Sequence, residues 1–345
     1  MVKRILLGLA IIIALCGQAS FAEWSEGPCP PPPGSYCTIS HGAFLTFGPN
    51  GKHIAIVSGD EIRIFDLTDG SLLRTFRTEK PSLSFGIPSF SPDGELIAAP
   101  MSGDLIGIWN ATTGEELLTI STPTGPYLRV AFSPVGGSLA SISGGKVELW
   151  DVSSGTELNV FQADSDPLIA IAFSPDGELL AGGGEDRTLT VWNVKSGEEV
   201  FSFTGFSKEV SSIAFSPNGS SLCAGSGDGV IRLLDLATGE ERFALAGHTE
   251  AVTWVAFSPD GDVIASSSHD DTVKLYSAAS GTLIYTLDLW TLLGPLSPDN
   301  VADPKGMARV FAVGFSPDGD LIGTAYCGVK VCQIDLWNMS DILGE

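Results

Sequence analysis

Residues 168–177 read Leu-Ile-Ala-Ile-Ala-Phe-Ser-Pro-Asp-Gly, and this stretch decides the fold. A β-prone apolar run ends at Phe173 and meets a turn. Pro175 sets φ for that turn, and Gly177 accepts the left-handed conformation that closes a hairpin. Glu178 to Ala181 resumes a strand. Asp186-Arg187-Thr188 turns into Leu189–Asn193, and Lys195-Ser196-Gly197 turns into a fourth strand at Glu199–Phe203. The phrase Phe-Ser-Pro-Asp-Gly returns at Phe90, Phe257 and Phe315, with looser copies at Phe47, Phe132 and Phe215. Successive phenylalanines stand 43, 42, 41, 42, 42 and 58 residues apart.

A fixed period near forty marks a repeat architecture, in which no unit buries its apolar face alone. Four short antiparallel strands per period, with no helical pattern, make one blade of a propeller. Seven such units predict an all-β, seven-bladed β-propeller over residues 35–339. After Trp337 too few residues remain for a fourth strand. The β-prone Ser35–Ser40 is therefore expected to supply the outer strand of the last blade, because an unclosed ring exposes strand edges.

The units resemble WD repeats, in which a Trp-Asp pair or a variant closes the third strand. Here the pairs are Phe65-Asp66, Trp109-Asn110, Trp150-Asp151, Trp192-Asn193, Leu234-Asp235, Tyr276-Ser277 and Trp337-Asn338. The degenerate style is similar to bacterial exported propellers. The resemblance implies a buried hydrogen-bond set in well-formed blades, and only the sixth nearly matches it, with His248, Ser266, Asp270 and, in place of the indole, Tyr276. Blades one to three have shorter turns, so apolar packing between blades is expected to carry the ring. The fold itself is almost silent on activity.

The amino terminus has the pattern of a secretion signal. Lys3 and Arg4 precede an apolar run from Ile5 to Cys16, and Ser20-Phe21-Ala22 offers a cleavage point before Glu23. The expected division is a signal at 1–22, a proline-rich lead at 23–34, the propeller at 35–339 and a tail at 340–345. The mature product is expected to be periplasmic or extracellular, monomeric and without a membrane span. The net charge of -23 becomes -25 without Lys3 and Arg4, leaving 16 basic against 41 acidic residues. That balance repels phosphate backbones and excludes nucleic acid as a partner class. With 43% apolar and 17% charged residues, the chain is no disordered acidic tail.

In an oxidising compartment Cys29, Cys37, Cys327 and Cys332 are disulfide candidates. Of the three pairings that four cysteines allow, Cys29–Cys37 with Cys327–Cys332 is preferred; a Cys37–Cys332 bond would clasp the seam instead. Cys223 reads as a small core residue.

Three features depart from the repeat. The step into the seventh unit is 16 residues longer than the one before it, with the extra material at 288–309. Trp290, Leu292, Leu293 and Leu296 within it could hold a protein or peptide partner, or could fold back as a cap. Three residues before each marker phenylalanine stand Phe44, Ile87, Arg129, Ala170, Ser212, Trp254 and Ala312. Arg129 and Trp254 could share the channel mouth and receive an anionic group or peptide carboxylate. Finally, the Ser-Pro-Asp-Gly turns and those after the third strands should share one acidic face. The four histidines, His41, His53, His248 and His269, lack metal-ligand spacing, and no nucleophile elbow or phosphate loop is present. No cofactor is expected. The leading reading is a noncatalytic protein- or peptide-binding scaffold. The competing one is a lactonase- or hydrolase-like enzyme, or a small-ligand binder, with its site in the channel.

Overall fold

The Ser-Pro-Asp-Gly turn is built by its own side chains. In the computed structural model of the chain, the Ser174 hydroxyl donates to Asp176 Oδ1 at 2.6 Å, while the backbone N–H of Leu179 donates to Ser174 Oγ at 2.8 Å. Glu178 N–H donates to the same Asp176 oxygen at 3.0 Å, and Gly177 takes φ 70°. Serine and aspartate thus satisfy the backbone groups that a tight turn strands. The same bonds recur at Ser91/Asp93, Ser258/Asp260 and Ser316/Asp318. Hydrogen bonds to the ionised form hold Asp93, Asp176 and Asp260 below the usual carboxylate range, the serine hydroxyl being the largest cause.

The structure describes residues 35–40, 44–58, 61–77, 86–101, 105–121, 129–163, 167–289, 309–327 and 332–343. They form seven four-stranded antiparallel sheets, each running from an inner strand at the axis to an outer strand at the rim. Blade four contains Leu168–Phe173, Leu179–Gly184, Leu189–Asn193 and Glu199–Phe203, in spatial as in chain order. The other inner strands are Phe44–Phe47, Ser89–Phe90, Val130–Phe132, Val210–Phe215, Val252–Phe257 and Arg309–Phe315.

Blade seven alone takes its strands from both ends of the chain. Ser35–Ser40 lies antiparallel to Cys332–Asn338, with Ile39 opposite Ile334. The turns close the same circle. A Cβ added at Gly51 would meet Pro317 at 3.8 Å, one at Gly94 would meet Pro49 at 3.4 Å, and one at Gly319 would meet Pro259 at 3.7 Å. Each inner turn therefore leans on the turn of the blade before it, all the way round.

Between blades the contact is apolar. The large apolar residue near the end of each third strand, aromatic in every blade but the fifth, reaches back into the preceding blade: Trp109 lies 5.7 Å from Phe76, and Trp192 lies 6.0 Å from Phe161. Trp337 joins Val273, Leu275 and Leu287 of blade six, and Phe65 packs beside Ile334 and Leu336 of blade seven. The polar half of each pair has a separate task. Asp151 Oδ1 accepts from the N–H groups of Ser153 and Ser154 at 3.0 and 2.8 Å and so caps the turn that follows.

One element departs from the expected strands and tail. Met339–Leu343 forms a single helical turn. Asn338 Oδ1 accepts from Ser340 N–H at 2.9 Å, while Met339 and Ile342 pack against the core of blades six and seven. Local capping and apolar contact turn part of this tail inward. No helix among the described residues is long and apolar enough to cross a membrane.

Candidate functional site

The axial cavity has a volume of 240 Å³ and is bounded by the inner strands of blades one to four and six. The residue before each marker phenylalanine is small: Thr46, Ser89, Ala131, Ala172, Ala214, Ala256 and Gly314. The first four line the cavity. Alternation along a strand sends these side chains toward the axis, and their size leaves it open. The signal stood in the sequence, but it is legible only once that position is known to face the axis.

Among the larger residues that share the lining, Arg129 and Trp254 meet each other. Arg129 of blade three extends across the axis to blade six, where its guanidinium lies over the Trp254 ring, 4.9 Å from the centroid. The sequence placed both residues near the channel mouth, and the structure brings them into contact. Burial pulls the Arg129 pKa down from 12.5 to about 10, which leaves it a full cation at neutral pH. Ser89 Oγ accepts from Phe132 N–H at 3.1 Å, so its own hydroxyl hydrogen remains available to the cavity. Of the other positions in that ring, Ala170, Ser212 and Ala312 are buried between blades rather than presented to the channel.

Trp290, Leu292, Leu293 and Leu296 lie outside the described residues. So do Cys29, the signal at 1–22 and the lead at 23–34. Leu289, the residue just before Trp290, is fully buried in the core shared by blades six and seven. The backbone register sets Cys327 opposite Cys332 across a hairpin, and Cys37 opposite Leu336. Cys37 and Cys332 are thus four residues out of register, roughly 13 Å at 3.3 Å per residue, beyond the reach of a disulfide. That corrects the seam-clasp alternative.

The sixth-blade network forms around His248, whose Nε2 and Ser266 Oγ lie 2.8 Å apart and whose Nδ1 is 3.0 Å from Asp270. Thr249 N–H also donates to Asp270, and Thr272 hydroxyl joins it at 2.6 Å. Burial works against the Asp270 charge, but bonds from His248 and Thr272 hold its pKa well below the usual range. Tyr276 does not join them. Its ring fills the place of the indole, but the hydroxyl is buried without a partner and points past the serine toward Gly247. Where an indole faces a hydroxyl on the second strand, the bond forms: Trp150 Nε1 donates to Ser141 Oγ at 2.9 Å, and Trp337 Nε1 to Thr324 Oγ1 at 3.0 Å. Asp228 of blade five finds a substitute for the missing histidine in the Ser207 hydroxyl, at 2.7 Å.

The acidic face is present. Asp93, Glu95, Glu115, Glu116, Asp176, Glu178, Glu198, Glu199, Glu240, Glu241, Asp260, Asp262, Asp318 and Asp320 are all exposed in or beside the turns at one end of the strands. Two further acids escaped the sequence reading. Glu148 is buried on the third strand of blade three with Oε2 unpartnered, and burial, then Glu157, pushes its pKa up to about 7. Asp271 is buried in a blade-six turn at φ 65°, with Oδ1 unpartnered and its pKa raised to about 6 by burial and Asp270. Neither is visible from local pattern.

Comparison with known proteins agrees with this geometry. Residues 239–277 match the family model for the WD domain, G-beta repeat, and residues 171–254 match the Anaphase-promoting complex subunit 4 WD40 domain. The chain is similar to WD repeat-containing protein 82 of Drosophila melanogaster, 38% identical over 102 residues, covering 28% of this chain and 32% of that protein. It is also similar to Protein hir1 of Schizosaccharomyces pombe, 35% identical over 104 residues, covering 28% of this chain and 11% of that protein. The chain thus spans a third or less of the relatives it matches, and both are eukaryotic. The molecule is a seven-bladed β-propeller with WD-type repeats, a class that commonly serves as a protein-interaction scaffold.

Proposed function

We propose that the chain is an exported, noncatalytic WD-type propeller that binds protein or peptide partners, of the kind found among bacterial exported propellers. The observation that carries this reading is the exposed acidic face, set on a ring whose blades brace one another through apolar contacts and stacked turns. A rigid platform loses little conformational entropy on binding, so its faces can hold a partner without first being ordered. The acidic turns favour a partner with a basic surface and an association that weakens with salt. Export rests on the charged start, apolar run and small-residue site of the first 22 residues.

Photo-crosslinkers placed at Glu115 and Glu198 test the binding face in the native exported fraction. A discrete adduct that weakens with salt and is lost when Glu116, Glu199 and Glu240 are reversed to Lys supports the reading. Crosslinking that gives no discrete adduct, or one unchanged by charge reversal, refutes it. Amino-terminal sequencing of the exported protein checks the other half, with Glu23 as the expected first residue.

The cavity favours a second reading, in which a small ligand occupies the channel. That reading leads to a specific chemistry.

A further inference from the structure

We propose that the axial cavity is a carboxylate site, in which Arg129, steadied on the Trp254 ring, pairs with the carboxylate of a small organic acid or of a peptide C-terminus. The contrast with Arg63 and Arg232, the other part-buried arginines among the described residues, carries the inference; the exposed Arg74, Arg187, Arg242 and Arg309 are left to water. Arg63 and Arg77 both reach Glu61, at 2.6 and 2.7 Å, and Arg232 reaches Asp228 and Glu241 at 3.2 and 3.4 Å. Among the described residues, no carboxylate lies within ion-pair distance of Arg129, and none lines the cavity. Arg129 is only part-exposed to water, and a partly desolvated guanidinium gains from a counter-charge that meets it. In a chain of net charge -23, this cation has been left facing an empty space rather than an acid.

The surroundings select the class of anion. A guanidinium is a planar fork that matches the two oxygens of a carboxylate. The Arg129 Cζ sits over the Trp254 ring, 4.9 Å from the centroid, a cation–π contact that uses none of its N–H donors in a conventional hydrogen bond. Ser89 can donate its hydroxyl to an oxygen of the same group, because its Oγ already accepts from Phe132 N–H. Ile87, Val130 and Ile171 supply an apolar wall for a short hydrocarbon body. The 240 Å³ volume falls just below the roughly 300–1,000 Å³ typical of drug-sized ligands, so the occupant is small or is only a chain end. The site does not depend on the acidic face, and the failure of either reading leaves the other standing.

The test uses the full chain and four pairs of probes: 4-methylpentanoate, benzoate, acetate and the tripeptide Gly-Ala-Leu, each as free acid and as amide. Titration calorimetry and the ligand-induced rise in Tm give two readouts. Acids are expected to bind and their amides not to, with 4-methylpentanoate stronger than acetate. Arg129→Met should abolish binding, and Arg129→Lys should weaken it about tenfold, because an ammonium lacks the fork. If Arg129→Met does not fold, the acid–amide contrast on the parent and the Arg129→Lys titration decide. Response to small acids but not to the tripeptide assigns a small-molecule ligand, and the reverse pattern assigns a chain terminus. Three outcomes overturn the proposal: acids and amides bind alike, Arg129→Met binds acids as the parent does, or no acid binds up to about 10 mM, tenfold above a millimolar Kd. Arg129 and Trp254 would then be a brace between blades three and six.

Discussion

Substituting Glu148 by Gln should remove a pH dependence that one buried carboxylate imposes on the ring. Glu148 is 2% exposed, its Oε2 has no partner, and its pKa in the folded protein is raised from 4.5 to about 7. The folded state therefore holds this proton more tightly than the unfolded chain does. The stabilisation is fully present below about pH 4.5 and is lost as the pH rises through about 7. At about 1.4 kcal/mol per pKa unit, the loss amounts to about 3 kcal/mol by pH 8. At about 2.1 cal/mol/K of unfolding entropy per residue, that is about 4–5 °C of Tm for a ring of this size. Gln is uncharged throughout, so the difference between parent and variant isolates Glu148 from the aspartates whose shifts run the other way. Calorimetric Tm from pH 4.5 to 8 should show the parent losing about 4–5 °C relative to Glu148→Gln. The absolute offset is not diagnostic, since the new amide brings its own hydrogen-bonding needs; only the slope is. A difference that stays constant across that range would refute the reasoning.

Three further outcomes follow from the same packing. Asp271→Gly should raise stability by about 1 kcal/mol, because Gly tolerates the left-handed φ that Asp271 adopts and Gly229 already occupies the matching turn of blade five. The gain should be larger at pH 8 than at pH 5, since the raised pKa of about 6 makes the ionised form the costly one; equal gains would exclude the charge as a cause. Leu289→Ala should cost about 2–5 kcal/mol in chemical denaturation, as expected for a fully buried leucine, and a loss under 1 kcal/mol would remove Leu289 from the core. Nonreducing peptide mapping should find Cys327 joined to Cys332, with Cys223 the thiol that iodoacetamide reaches only after denaturation, because burial both hides it and raises its pKa. Labelling of Cys223 in the native protein would contradict its place in the blade-five core.

The repeat itself was legible because its causes are local. Ser, Pro, Asp and Gly build the inner turn from bonds spanning no more than five residues, and the Asp, Asn or, in blade six, Ser277 at the end of each third strand accepts from the next turn in the same way. Such a signal needs no partner blade, so period, strand order and blade number could be read from residues alone. The sixth-blade network was legible for three of its members. Tyr276 was misplaced because whether its hydroxyl meets a serine depends on ring length and tilt, not on residue type.

What sequence alone determined is the unit and its sevenfold repetition, since turn chemistry and strand alternation act over a few neighbouring residues. Tertiary structure decided what those units do to one another. Burial of Leu289 in the core shared by blades six and seven, and the meeting of Arg129 with Trp254 across the axis, arise from side chains supplied by different parts of the ring. Solvation and contact at such distances depend on closure of the circle, which no local stretch of the chain encodes.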